Sequence, residues 1–226
     1  PYCVHPRALL TAVASVGGTK TIHLERLAAL RPTHVLVNVD ETPRAVAHEI
    51  EALGCAVVVT HPNQVEDNLA LFRLLGGIFD RARVAEDLAA RLSAALAAPD
   101  EAVASWPRRR VLYLIWKKPW MTVAPTTYIG AMLARAGLDV LRVADDRRYP
   151  EVVLDEALLV RVDLVLFASE PFRFREKQLQ EFAADHPGHA SKARLVDGEM
   201  ISWYGSRALL GVDYLRRFVA ALAPAS

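Results

Sequence analysis

The stretch VLVNVDETPRAVAHEIEALGCAVVVT (residues 35–60) sets the fold class, because two short apolar runs flank a helix-length amphipathic segment. Residues 35–38 and 56–60 are rich in Val and too short for a helix, so they read as buried strands. Between them, residues 43–53 are predicted helical. Thr42 is the expected N-cap, Pro43 sits in the first turn, where its missing N–H costs nothing, and Gly54 is the stop. A strand, a helix and a strand of this size form a βαβ unit, with parallel strands and a right-handed crossover. Upstream, Thr21 can cap a helix reaching Leu30, with Leu24, Leu27 and Ala28 on one face and Pro32 ending it.

Beyond this unit the rhythm changes. From Gln64 to Ala98 the residues Leu69, Phe72, Leu75, Ile78, Phe79, Val84, Leu88, Leu92 and Leu96 recur at helical spacing. Gly76-Gly77 is expected to loosen or break this region, but no strand interrupts it. As one helix it would run about 50 Å, long for a small domain, and it predicts a spine between two lobes. Strand candidates then return at residues 111–115, 140–143, 164–168 and 194–196, alternating with helices at 127–136, 154–160, 175–185 and 206–222. Thr126 is the expected cap of the first of these helices and Gly137 its stop. Leu209, Val212, Leu215 and Val219 form the docking stripe of the last. The expected class is α/β, with two Rossmann-like lobes joined by a long backbone helix. The N-terminal lobe spans residues 1–63, the spine 64–107 and the C-terminal lobe 108–226. A ligand is expected between the lobes, near the carboxyl ends of the strands.

Composition narrows the function. With 226 residues, 53% hydrophobic and 23% charged, the chain is predicted to fold around a substantial core. A net charge of +1 argues against nucleic acid or a membrane surface as an electrostatic partner. Cys3 and Cys55 leave both a disulfide and two separate thiols open. No apolar run is long enough to span a bilayer, and no signal peptide is visible. The chain begins at Pro1 rather than Met, so it is expected to be processed or cropped.

Aromatic residues mark the candidate site. Trp116 and Trp120 lie in Ile-Trp-Lys-Lys-Pro-Trp-Met, Tyr149 in Arg-Arg-Tyr-Pro-Glu, and Trp203 and Tyr204 in Ser-Trp-Tyr-Gly-Ser-Arg. All fall where apolar runs give way to loops, which suits a wall for a flat or bulky ligand. Pro119 is expected to turn Trp120 outward, and one of Trp203 and Tyr204 to line the cleft while the other packs. Arg207 could hold an anionic group bidentately, or pair with Glu170 or Glu199. Lys20 follows Gly17-Gly18-Thr19, but the glycine spacing of a phosphate loop is missing, so a polar cleft-lining loop is expected. The seven histidines show no zinc spacing, although His5 could reach a metal inside a bound cofactor. No Gly-x-Ser-x-Gly elbow or other catalytic constellation is present. No catalytic residue, protein metal site or cofactor is expected, and binding is favoured over an α/β enzyme of unknown reaction.

Several separated motifs agree, in order, with one family. Val16-Gly17-Gly18-Thr19-Lys20-Thr21, Leu24-Glu25-Arg26 and Leu30-Arg31-Pro32 resemble the first lobe of periplasmic substrate-binding proteins with a helical backbone. The Trp116–Trp120, Arg148-Tyr149-Pro150-Glu151, Ser169-Glu170-Pro171-Phe172 and Ser202-Trp203-Tyr204-Gly205-Ser206-Arg207 segments resemble the second lobe, in the cobalamin-binding-protein-like subgroup. The resemblance implies the substrate-binding subunit of an ABC importer, which captures a corrinoid or other metal chelate in the interlobe cleft. It then delivers this ligand to a permease and its ATPase. Iron–siderophore or haem reception is the alternative within the same fold. Site residues implied are Trp120, Tyr149, Trp203, Tyr204, Arg207 and Lys20. Permease-docking acids are expected at Glu41 or Asp40, and at Asp155 or Glu156, residues that would equally suit helix N-termini. A monomer in the periplasm, or a cell-surface lipoprotein, is implied. The family's usual first strand and helix are missing ahead of residues 3–6, so the first lobe is expected to be truncated.

Overall fold

A computed structural model describes residues 4–98 and 107–222. The chain divides into two compact units between His61 and Pro62. In the first, β1 (His34–Asn38) pairs in parallel with β2 (Ala56–Thr60), in register from His34↔Ala56 to Asn38↔Thr60. Helices α1 (Leu24–Ala29) and α2 (Arg44–Glu51) contribute Leu27 and Ile50 to a core shared with Val37 and Cys55. The expected βαβ unit is present, and Gly54, with φ +82°, lies in the turn that leads from α2 to β2. The caps differ from expectation. Pro43 is the N-cap of α2 and His23 that of α1, neither with a side-chain bond, while the Thr42 N–H donates to Asn38 O at 2.8 Å. Cys55 is a buried free thiol that donates to Ile50 O at 3.4 Å, and Cys3 lies outside the described residues.

The second unit begins with helices. The predicted long helix is two: α3 (Asp67–Ile78) and α4 (Ala82–Ala97). They are reversed by a short turn in which Asp80 adopts φ +51° and the Arg81 N–H returns to Gly76 O at 2.7 Å. A Cβ on Gly76 would stand 2.5 Å from that of Ala85, so the glycine serves close helix packing rather than the break. Arg73 and Glu86 clamp the hairpin at 2.8 Å.

A six-stranded sheet follows, centred on β3 (Arg109–Trp116). One edge of β3 is shared. Its first residues pair in parallel with β5 (Leu138–Val140), and its last pair antiparallel with β4 (Trp120–Thr122), which in turn carries β6 (Glu151–Val152). The other edge pairs in parallel with β7 (Leu164–Ala168), and β7 with β8 (Ala193–Val196). Side chains alternate between two cores. Val111, Tyr113, Ile115, Leu164 and Leu166 join one with α3, α4, α5 (Tyr128–Arg135) and α9 (Arg207–Leu222). Leu112, Leu114, Val165 and Phe167 join the other with α6 (Glu156–Leu159) and α7 (Glu176–Asp185). Burial on both faces explains why β7 reads as an unbroken apolar run. Thr127, not Thr126, caps α5 by accepting the Gly130 N–H at 3.1 Å.

Helix α9 crosses α8 (Gly198–Ser202) at Gly211, where a Cβ would meet Met200 O at 2.1 Å and Met132 Cε at 2.8 Å. Gly211→Ala should destabilise the protein by about 1–3 kcal/mol through overpacking. Gly77→Ala, which meets nothing within 4 Å, should leave stability unchanged or raise it by up to about 1 kcal/mol. Urea unfolding of the pair measures both, and equal effects would refute the packing argument.

Candidate ligand-binding site

Because β3, β7 and β8 are parallel, the loops after them leave one edge of the sheet. Trp116 ends β3, stands 41% exposed and meets the edge of Phe172, from the loop after β7, at 5.7 Å between ring centroids. The Phe172 N–H donates to Ile115 O at 3.2 Å, which ties that loop to β3. After β8, Asp197 caps α8 by accepting the Glu199 and Met200 N–H groups at 3.0 and 3.4 Å. The Gly198 N–H reaches Ser169 Oγ at 2.9 Å. A Cβ on Gly198 would lie 2.8 Å from the Glu170 backbone, so only glycine lets these loops interlock.

Trp203 follows α8 and ties it to the loop after β7. Its indole N–H donates to Glu170 Oε1, which also accepts from Ser202 Oγ at 2.9 Å. Burial pushes the Glu170 carboxyl above its ordinary pKa. The two hydrogen bonds oppose that shift, and the neighbouring Glu199 and Asp197 add to it. The Arg207 guanidinium lies 5.4 Å from the Trp203 ring centroid and 3.4 Å from Glu199 Oε2. Tyr204 packs edge-on against Tyr128 at 6.0 Å. Beneath them Asn68, fully buried on α3, donates to Tyr128 Oη at 3.2 Å and to Val65 O at 2.8 Å, and accepts the Gly205 N–H at 2.5 Å. Burial pushes the Tyr128 hydroxyl up to about 12. The Trp203–Gly205 turn is therefore held from α3, from the loop after β7 and from α9.

Of the residues expected at the site, Trp203, Tyr204 and Arg207 are brought together, and Arg207 takes its Glu199 pairing. Trp120 is placed differently from expectation. It opens β4 instead of projecting from a loop, stacks on Phe174 at 5.9 Å and meets Phe167 at 6.3 Å, so its ring packs on the second core. Tyr149 is half-buried against the first core, with the Arg148 guanidinium 6.0 Å from its ring. Asp155 caps α6 by accepting the Leu158 N–H at 2.9 Å. Glu156, 77% exposed, meets His189 Nε2 at 2.9 Å. In the first unit Lys20 is exposed, Glu41 accepts from Thr19 Oγ1 at 3.2 Å, and Asp40 lies 3.4 Å from His61. Sequence reasoning missed Asn68, whose signal is an amide among the apolar positions of α3, and it placed Glu170 in the Ser169–Phe172 segment and as a partner for Arg207 without its tie to Trp203. Among the described residues, no group of three His, Cys, Asp or Glu side chains could hold a metal ion, and no helix is long and apolar enough to cross a membrane.

Comparison with solved structures agrees with this architecture. The vitamin B12 binding protein BtuF of Vibrio cholerae superposes with a TM-score of 0.80 at 15% identity, over 96% of this chain and 85% of that one. The haem-binding protein BhuT in complex with two haems gives 0.80 at 23%, over 98% and 87%. The haem complex of IsdE from S. aureus gives 0.75 at 18%, over 97% and 88%. At these identities the likeness is one of fold. No curated protein matches the chain in sequence. The family model described as periplasmic binding protein matches residues 2–192, and the chain belongs to that family.

Proposed function

We propose that this protein is the substrate-binding component of an ABC uptake transporter, and that it captures a corrinoid or related metal chelate against the loops after β3, β7 and β8. The observation that carries the reading is the Trp203 indole, fixed by Glu170 and Arg207 on the same sheet edge as the exposed Trp116 and its half-buried partner Phe172. Large rings held rigid beside polar groups suit a bulky planar ligand, and rigidity reduces the ordering cost of binding. Fold neighbours that bind vitamin B12 support a corrinoid, and those that bind haem support haem as the second reading. Tyr149 and Tyr204 are secondary contacts, and Trp120 supports the wall from behind. Family membership favours a receptor over an enzyme.

The protein works as a monomer in the periplasm or as a surface lipoprotein, and delivers its ligand to a permease coupled to an ATPase. Glu41 and Glu156 are the docking acids, because both are exposed. Asp155 spends its carboxylate on the cap of α6.

Titration with cyanocobalamin, cobinamide, haemin and a ferric siderophore should give saturable quenching of tryptophan fluorescence and a raised melting temperature with at least one. Unchanged signals with all four would reject the reading. Trp203→Ala should weaken binding about tenfold, whereas Trp120→Phe should lower the melting temperature and leave affinity unchanged. Charge reversal at Glu41 and Glu156 should cut uptake in cells while binding in solution stays intact, and loss of binding would remove them from the docking role. Asn68→Ala leaves the Gly205 N–H without its acceptor. It should cost about 1–3 kcal/mol of stability and weaken ligand binding, measured by thermal melts and the same titration.

A further inference from the structure

Both hydrogen bonds that Glu170 accepts, from Ser202 and Trp203, land on Oε1. Among the described residues no donor reaches Oε2, and that oxygen is not sealed from solvent. The carboxylate is thus half-buried, anchored by one oxygen and open at the other, beside the ring at the centre of the proposed site. Its surroundings are acidic. Glu199 on α8 and Asp197 at its cap stand near enough to push the Glu170 carboxyl up, and the buried Tyr113 hydroxyl on β3 feels the Glu170 charge, while the Tyr214 hydroxyl on α9 accepts the Asp197 N–H at 2.8 Å. The cation beside the ring, Arg207, is engaged by Glu199.

We infer that Glu170 is a ligand-contact residue whose outer oxygen accepts an N–H from the bound molecule, so that the site selects a ligand rimmed by carboxamides or amines over one rimmed by carboxylates. This rests on the receptor reading above. A carboxylate partly withdrawn from water, with one oxygen that takes no protein donor among the described residues and two other acids near it, gains more from a ligand donor than a fully solvated one would. A ligand carboxylate in the same place would meet three acids and a cation already paired.

The charge also fixes the sign of the pH dependence. Only the ionised carboxyl offers both oxygens as acceptors. Affinity for a carboxamide-rimmed ligand therefore falls as pH drops through the raised Glu170 pKa. Affinity for a carboxylate-rimmed ligand rises over the same interval, because protonation removes a repulsion.

Glu170→Gln separates the two oxygens. The amide oxygen can keep Ser202 and Trp203, while the outer atom becomes a donor. With cyanocobalamin as the carboxamide probe and haemin as the carboxylate probe, binding is followed from about pH 4 to 7, across the carboxyl range. The expected result is a variant with wild-type melting temperature and tryptophan emission. It should bind cyanocobalamin about tenfold more weakly, without the wild-type loss of affinity at low pH, and bind haemin more tightly. A variant that binds cyanocobalamin as the wild type does, with the pH dependence intact, overturns the inference and leaves the receptor reading standing. So does a wild-type protein that binds haemin but not cyanocobalamin. Wild-type protein that binds neither probe, nor cobinamide or a ferric siderophore, ends both.

Discussion

The parallel pairing of β3 with β7, from Val111↔Leu164 to Leu114↔Phe167, is the constraint on which the second unit depends. Every residue of that ladder is buried, on one face or the other. Each large apolar side chain withdrawn from water contributes about 1.5–3 kcal/mol, and none can be exchanged for a polar one without leaving it unpaired. The sheet interior is therefore closed to chemistry. Polar function is confined to the ends of the strands, and the parallel arrangement gathers the carboxyl ends of β3, β7 and β8 at one edge. Trp116 ends β3, Glu170 lies in the loop after β7, and Asp197 directly follows β8.

This division decides what the sequence reveals. The first βαβ unit is legible because its signals are local: two Val-rich runs, an amphipathic helix and a glycine that adopts positive φ at the stop. The buried β7 is legible for the same reason. The exact helix reversal at residues 79–81 is not, because Asp80 takes positive φ without being glycine, while Gly76 serves packing against Ala85. The short strands β4 and β6 are too brief to carry a period, and their pairing is set by β3. Thr126 and Thr127 offer the same hydroxyl one residue apart, so only geometry chooses between them.

The site follows the same logic. Trp203, Tyr204 and Arg207 are visible as a group because they are neighbours in the chain. What orients them is distant. Asn68 meets Gly205 across 137 positions, and Glu170 meets Trp203 across 33. Trp120 shows the converse, since Pro119 signals a loop while Phe174 and Phe167, far along the chain, decide where the ring packs.

The contacts of Trp203 also bear on what the edge can do. Its N–H is spent on Glu170, a cation lies over its ring, and the turn that follows is fastened by a buried amide. A ring so constrained cannot adjust to many partners, and it loses little entropy when one arrives. Arg207 and Glu199 neutralise each other, which leaves shape and the open carboxylate oxygen of Glu170 as the features that distinguish ligands at this edge. Apart from that oxygen, the polar groups around the Trp203 ring hold it and its loop in place, so this edge presents a fixed surface to whatever meets it.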